Sequence, residues 1–491
     1  MDHRDSFITY LRNQKRMILG SLGIAALSFI LLKCLFPYPD MFVDSSSYIF
    51  WAFYKFDVAY RPTGYPYFLR FTHAISEDQL FTVLIQYLFF LLSSFFCFFS
   101  FDFLFGLPGK LKWAILMLIL LNPMLVLQTN LISSDTVFCS LTVTWFTLCL
   151  WILKKANWWM LVLQLLLLYC CFEVRFTTLF FPVVAVAVFL LCVGKWGYKI
   201  TGALLTVTLI FFCVQRQKQL HQEVANTKIV SGFAGWQVAN NALYCYKHIN
   251  IDPNDLPSVN LQVVDRVVKR YIDSLPAKPG EIGVQYLWDR RSPLKVFCLQ
   301  VTRHSKIDYA VAWMNVSKEY SNYGWYIIKT FPGAFIQYYI LPNTCKYFYP
   351  DLEALTEYNS SNMAALPDET KQWFNSTVDH LECSVPAFQR VVMPVFPFLS
   401  LLLNVFNISV LFFCSFRLIK AWKAIAKDSR QLFFVWTLFY FSFMAFSIFA
   451  TAVNLRFIDP IFILGVIIPV VLWSNFQLNG NTVSEADKGG D

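Results

Sequence analysis

Apolar runs of about twenty residues recur along this chain, and no other feature restricts its fold so severely. A helix needs about 20 residues to cross the hydrocarbon of a bilayer, where every backbone group must be paired internally. Ten segments qualify: 17–36, 80–105, 111–128, 133–153, 157–172, 175–193, 197–214, 394–416, 431–451 and 457–474. The joints between 111–128 and 133–153, and between 157–172 and 175–193, are so short that each pair reads as an antiparallel hairpin. Composition agrees, with 57% hydrophobic and only 14% charged residues, where soluble domains carry about a quarter charged. The expected fold is an all-α polytopic membrane protein with about ten transmembrane helices and a mixed outer domain in one long loop.

The net charge of +9 raises the question of a nucleic-acid partner, and the placement of the charges answers against it. They cluster in short loops between apolar runs, as topology signals do. With the N-terminus in the cytoplasm, the inner loops and termini hold sixteen Lys and Arg, among them Arg12, Lys15, Arg16, Lys112, Lys154, Lys199, Lys420 and Arg430. The outer short loops hold five: Lys55, Arg61, Arg70, Arg175 and Arg456. This predicts cytoplasmic termini and the following organisation: an N-terminal transmembrane module at 1–214 with a first outer loop at 37–79; an outer domain at 215–393; C-terminal transmembrane helices at 394–476; and an unstructured cytoplasmic tail at 477–491. Within the outer domain, "SNYGWYIIKTFPGAFIQYYILP" (321–342) is nearly long enough to span. Lys329, Pro332 and Gly333 interrupt it, and a crossing there would invert the charge bias. It reads as an interfacial or re-entrant helix, with Tyr323, Trp325, Tyr326, Tyr338 and Tyr339 at the membrane surface.

Nine of the thirteen cysteines lie in apolar runs, where cysteine behaves as a small hydrophobe. Cys245, Cys298, Cys345 and Cys383 fall in the outer domain, where an oxidising compartment would let them pair. Neither the cysteines nor the histidines show metal-ligand spacing. The first apolar run has no small-residue cleavage site after it and reads as an uncleaved anchor.

On the outer face, charged residues gather at membrane level from separate turns. Asp40, Asp44 and Arg61 lie in the first loop, Asp135 in "NLISSDT", Glu173 and Arg175 in "FEVR", and Arg456 and Asp459 in "NLRFIDP". Charges at the edge of hydrocarbon are costly and face a cavity or a partner. Each has a plainer reading. Arginines snorkel at helix ends, Glu173 serves as counter-ion to Arg175, Asp135 and Asp44 serve as helix N-caps, and Asp459 before Pro460 serves a turn. The helix beginning "SSSYIFWAFYKF" carries Tyr48, Trp51 and Tyr54 as aromatic anchors. The conjunction of carboxylates and arginines points to a site that handles an anion and moves a proton.

These residues resemble a known family. The loop aspartate, the "SY" that follows and "RPTGYPYFL" are similar to the first loop of bacterial GT-C glycosyltransferases. Those enzymes are related to protein O-mannosyltransferases and to the aminoarabinose transferase acting on lipid A. Thr63 stands where the family has a second proline. "LISSDTVFCSLTVTWFTLCLW", "EVRFTTLFFPVV" and "LRFIDPIFIL" resemble later family segments in the expected order, with Phe176 and Phe457 departing from the usual Pro and Tyr. The likeness covers about 1–214 and the last span or two. It implies transfer of a sugar from a polyprenyl-phosphate donor to a hydroxyl acceptor on a glycan, lipid or protein, at the outer membrane face, with inversion. It assigns the catalytic base to Asp44 and the donor phosphate to Arg61, Arg175 and Arg456, with Asp40, Tyr48, Tyr65, Asp135 and Glu173 in support. It leaves a divalent cation (Mg or Mn) open and places the enzyme in a bacterial inner membrane. The competing readings are a lipid-linked polysaccharide ligase and a flippase. A flippase calls for charges buried mid-span and two related halves; the sequence has almost no mid-span charge and no internal repeat.

Overall fold

A computed structural model of the chain describes residues 6–275, 281–289, 291–359, 365–378 and 381–488, the side chains after Gln477 excepted. Among the described residues seven helices are long and apolar enough to cross a membrane: Lys15–Leu35, Gln79–Phe105, Ser134–Lys154, Trp196–Ala225, Pro386–Ala421, Lys427–Ala450 and Asp459–Gln477. An eighth crossing results if Lys112–Leu120 and Pro123–Thr129, bent by 40° at their joint, count as one broken span. The break has a local cause. The Asn122 side chain accepts hydrogen bonds from Met124 N and Leu125 N, and Pro123 starts the second piece without an N–H to continue the first. Among the described residues there is no strand, only two isolated bridges. The architecture is that of an all-helical, membrane-embedded protein.

The expected count of ten is therefore corrected to seven or eight. The two segments that fall short are those expected at 157–172 and 175–193. Trp158–Val174 has 17 residues; Arg175 is then extended, Phe176–Phe180 is a 3₁₀ turn, and Phe181–Leu191 has 11 residues. Apolar composition runs through both, but the backbone break at Arg175 leaves neither with the length of a full span.

Two apolar cores form. The larger lies among the long helices, where Ser134–Lys154 is surrounded and packs against Gln79–Phe105 and Trp158–Val174. The smaller belongs to the outer domain and centres on Trp236, Tyr320 and Tyr323, where Ala234–Leu243 crosses Tyr309–Thr330. Gly235 and Gly324 permit that crossing, since a Cβ at 235 would lie 1.7 Å from Ser317 O and one at 324 would lie 2.8 Å from the Val238 backbone. The outer domain docks on the end of Lys427–Ala450 through buried amides. Asn241 Nδ2 donates to Phe449 O at 2.9 Å, and Asn343 Nδ2 donates to Ile448 O at 2.7 Å.

The segment 321–342 is not one element. Tyr309–Thr330 ends at Phe331, and a new helical run from Pro332 to Phe348 contains a π-helical turn at Ile336–Ile340. Tyr323 and Tyr339, expected at a membrane surface, are buried in the outer-domain core, while Trp325 is exposed. Tyr48 and Trp51 of the first loop likewise point inward; only Tyr54 of that trio is exposed. The tail read as unstructured is helical in its backbone to Lys488, and Arg4 and residues 489–491 lie outside the described residues. Cys245, Cys298, Cys345 and Cys383 are free thiols.

Candidate functional site

Four turns converge at one end of the bundle, each held there by an identifiable contact. The first loop runs beside the start of Ser134–Lys154 as a short parallel bridge. Asp40 N donates to Asn130 O at 2.8 Å, Ile132 N donates to Asp40 O at 3.1 Å, and Ser45 Oγ donates to Ile132 O at 2.7 Å. This brings Asp44 alongside Asp135. The "RPTGYP" turn is pressed against the end of Trp158–Val174, because a Cβ on Gly64 would lie 2.4 Å from Glu173 O. Only glycine lets those two backbones touch, and the contact fixes the turn that carries Arg61 against the helix end that leads into Arg175. The fourth turn, Leu455–Phe457, is tied to the outer domain by Leu455 N donating to Asp351 O at 2.8 Å.

The charged side chains from these turns form one network. Asp44 pairs with Arg61 Nη1 at 2.7 Å and with Arg456 Nη2 at 3.4 Å. Asp135 accepts from Arg175 Nη2, from Arg456 Nη1 at 3.3 Å and from Ser133 Oγ. Arg175 Nε donates to Ser134 Oγ at 3.1 Å, and that hydroxyl shares a 3.1 Å hydrogen bond with Tyr48 OH. Arg456 Nε donates to Glu353 Oε2 at 2.9 Å, and Asn454 Nδ2 donates to the same oxygen at 2.8 Å. Aromatic rings line the guanidiniums: Arg61 lies 5.4 Å from the Phe233 ring and 5.5 Å from Tyr60, and Arg456 lies 4.7 Å from Phe457. Such rings favour cations electrostatically and keep water from them.

Burial is graded across the network. The Asp135 side chain has no exposure and Arg456 has 7%, while Asp44 has 15% and Glu353 has 38%. Burial pushes the Asp44 carboxyl up, but Arg61 and Arg456 together more than offset this and hold it below the ordinary carboxylate range. Asp44 is thus an ionised carboxylate at neutral pH, open to solvent on one side and gripped by arginine on the other.

Five of the residues singled out in the sequence come together here: Asp44, Arg61, Asp135, Arg175 and Arg456, with Tyr48 beside them. Asp44 and Asp135 are not caps, since Ser133 Oγ accepts from Asp135 N to start Ser134–Lys154, and Ser45 Oγ accepts from Phe42 N in the first loop. Three of the supporting residues do other work. Asp40 Oδ1 accepts from Asn359 N at 2.8 Å, and burial raises its carboxyl to about 7. Glu173 pairs with Arg216 at 3.2 Å rather than with Arg175. Tyr65 is fully buried and donates to Gln86 Oε1 at 2.7 Å, which holds the loop against Gln79–Phe105. Asp459 is buried and accepts from Gln128 Nε2 at 3.0 Å. Glu353, Asn454 and Ser134 belong to the network and were not singled out. The sequence signal for Ser134 and Asn454 was their adjacency to Asp135 and Arg456; Glu353 had none.

A divalent cation does not fit these residues. Asp44, Asp135 and Glu353 all face guanidiniums whose charge would repel it, and among the described residues no group of three or more His, Cys, Asp or Glu side chains is placed to hold a metal ion. What the arrangement offers is three guanidiniums able to meet an anion, balanced by three carboxylates, of which Asp44 is ionised and partly exposed. Comparison with protein-family models, with curated proteins and with solved structures gives no match to this chain.

Proposed function

We propose that the protein is an integral-membrane glycosyltransferase of the GT-C type, moving a sugar from a polyprenyl-phosphate donor to a hydroxyl acceptor, with inversion. The observation that carries this reading is the meeting of Asp44 with Arg61 and Arg456, from turns almost 400 residues apart in sequence, at one end of a bundle of apolar helices. A lipid-linked donor explains why such a site lies at the end of membrane helices, since its chain stays in the bilayer while the head group reaches the surface. The bias of Lys and Arg toward the opposite end supports an outer-face site and cytoplasmic termini.

In this reading the acceptor oxygen attacks the anomeric carbon and its proton passes to Asp44. The bond from that carbon to the phosphate oxygen breaks, and the electron pair leaves with the polyprenyl phosphate. Arg61, Arg175 and Arg456 stabilise the charge that develops there, and the planar fork of arginine suits phosphate oxygens. An Asp44 held by two guanidiniums is a weak base. When the donor phosphate shares the Arg61 and Arg456 guanidiniums, their hold on Asp44 weakens and its basicity rises, so base strength is coupled to donor occupancy.

The test is transfer activity in membranes against a panel of polyprenyl-phosphate sugars. Asp44→Asn is expected to insert and fold normally but to lose about 10²- to 10⁴-fold in rate, the usual contribution of a positioned base. Undiminished turnover by this variant removes the base assignment. If the wild-type protein transfers from no donor in the panel, the reading as a whole fails.

A further inference from the structure

Arg456 is shared among three carboxylates. Its Nε, Nη1 and Nη2 each face a different carboxylate, those of Glu353, Asp135 and Asp44. Nη1 and Nη2 each keep one further N–H, but Nε carries a single hydrogen and Glu353 holds it, so an anionic ligand reaches Nε only by displacing Glu353. Asp135 has no exposure and is also held by Arg175 and Ser133. Asp44 is paired with Arg61 as well. Glu353 differs in that its second partner is the neutral amide of Asn454. It is the most exposed of the three at 38%, and it comes from the outer domain rather than from the bundle or its first loop. Its backbone has φ +49°, the left-handed region that a residue with a side chain seldom occupies.

We infer that Glu353 is a displaceable stand-in for the phosphate of the donor, occupying the anion position on Arg456 until the donor arrives. The geometry of its carboxylate makes the case. Arg456 Nε and Asn454 Nδ2, two donors from one turn, converge on the single oxygen Oε2. A phosphate oxygen at that point would satisfy the same two donors, with more charge than a carboxylate brings. The exchange needs only a rotation of the Glu353 side chain into solvent. The backbone beside it stays docked, because Asp351 O accepts from Leu455 N and the Asp351 carboxylate pairs with Lys346. Without a donor the stand-in keeps three arginines from facing only two carboxylates, an excess of buried positive charge that is destabilising. The outer domain, through one residue, thereby reports on whether the donor site is filled.

This inference rests on the reading of the site as one for a polyprenyl phosphate, and its test separates the two. Decaprenyl phosphate binding to the full chain in nanodiscs is measured for wild type, Glu353→Gln and Arg456→Ala, alongside thermal unfolding of each without ligand. A stand-in lowers apparent affinity by the fraction of time it is closed. Glu353→Gln is thus expected to bind about tenfold more tightly than wild type, while its ligand-free unfolding temperature falls. A purely structural Glu353 would not move these two readouts in opposite directions. Binding by wild type that Glu353→Gln leaves equal or weakens overturns the stand-in and spares the ligand. Absence of binding by all three proteins overturns both.

Discussion

At one end of the bundle Arg456 alone touches three carboxylates; at the other, Lys112 pairs with Asp102 and Lys154 with Asp428. The lysine end is built for docking. Asp102 closes Gln79–Phe105 and accepts from Tyr10 OH at 2.6 Å, from Lys112 Nζ at 2.8 Å and from Leu107 N at 3.0 Å. That one carboxylate fastens the N-terminal helix Phe7–Asn13 and the turn after Phe105, and each of its partners has a single task. Lys154 pairs with Asp428, whose side chain is 58% exposed. The arginine end has shared cations, carboxylates held twice over, and a graded opening to solvent. Helix docking does not require such a network, and a buried ion pair is in general weak evidence for stability. Its excess of fixed charge is better understood as preorganisation for an anion that has yet to bind.

Three substitutions sharpen or break this contrast. The largest effect is expected from Arg456→Met, which leaves Asp44, Asp135 and Glu353 short of a partner and should cost about 3–5 kcal/mol of stability. Thermal unfolding in detergent measures it, and adding Asp135→Asn should recover part of the loss, because one buried charge then disappears with its partner. A smaller effect, with a definite pH signature, is expected at Asp40. Its carboxyl is raised to about 7 by burial, above the value of about 4 usual for an unfolded chain. Between those values the unfolded chain releases a proton that the folded protein keeps, so stability falls as pH rises through that window. Asp40→Asn should therefore unfold several degrees above wild type at pH 8, with the difference vanishing toward pH 4. The smallest effect belongs to the lysine end. Lys154→Ala should cost less than about 1 kcal/mol, as pairs with an exposed partner do, and leave ligand binding unchanged. A loss at Lys154 equal to that at Arg456 would dissolve the distinction between the two ends.

How much of this was legible in the sequence varies with the range of the interaction. Helix composition is local, so the seven long spans could be read directly, and so could the gathering of Asp44, Arg61, Asp135, Arg175 and Arg456 at one level. Length was misread where a polar residue sits inside an apolar stretch. Hydropathy runs past Arg175, but the backbone there is extended and the helices on either side are short. Tyr48 and Trp51 look like interfacial anchors because aromatic composition does not reveal which way a ring points. Asp40 and Glu173 were grouped with the site by proximity in sequence, yet their partners, Asn359 and Arg216, are distant along the chain. Glu353 was out of reach altogether. It occurs in "YPDLEAL", a stretch without pattern, and its partner lies 103 residues onward.

The contact between Gly64 and the Glu173 backbone has a consequence for how this protein tolerates change. Arginine side chains are long and adjustable, and on their own they would let a site drift in width as neighbouring residues vary. Here the separation between the turn carrying Arg61 and the helix end carrying Arg175 is a main-chain dimension, set by two backbones with nothing between them. Substitution of almost any residue lining the cluster would alter its charge or its lining while leaving its span intact. One added methyl group at position 64 would wedge the frame itself apart, and no side chain in the cluster lies where it could close that gap.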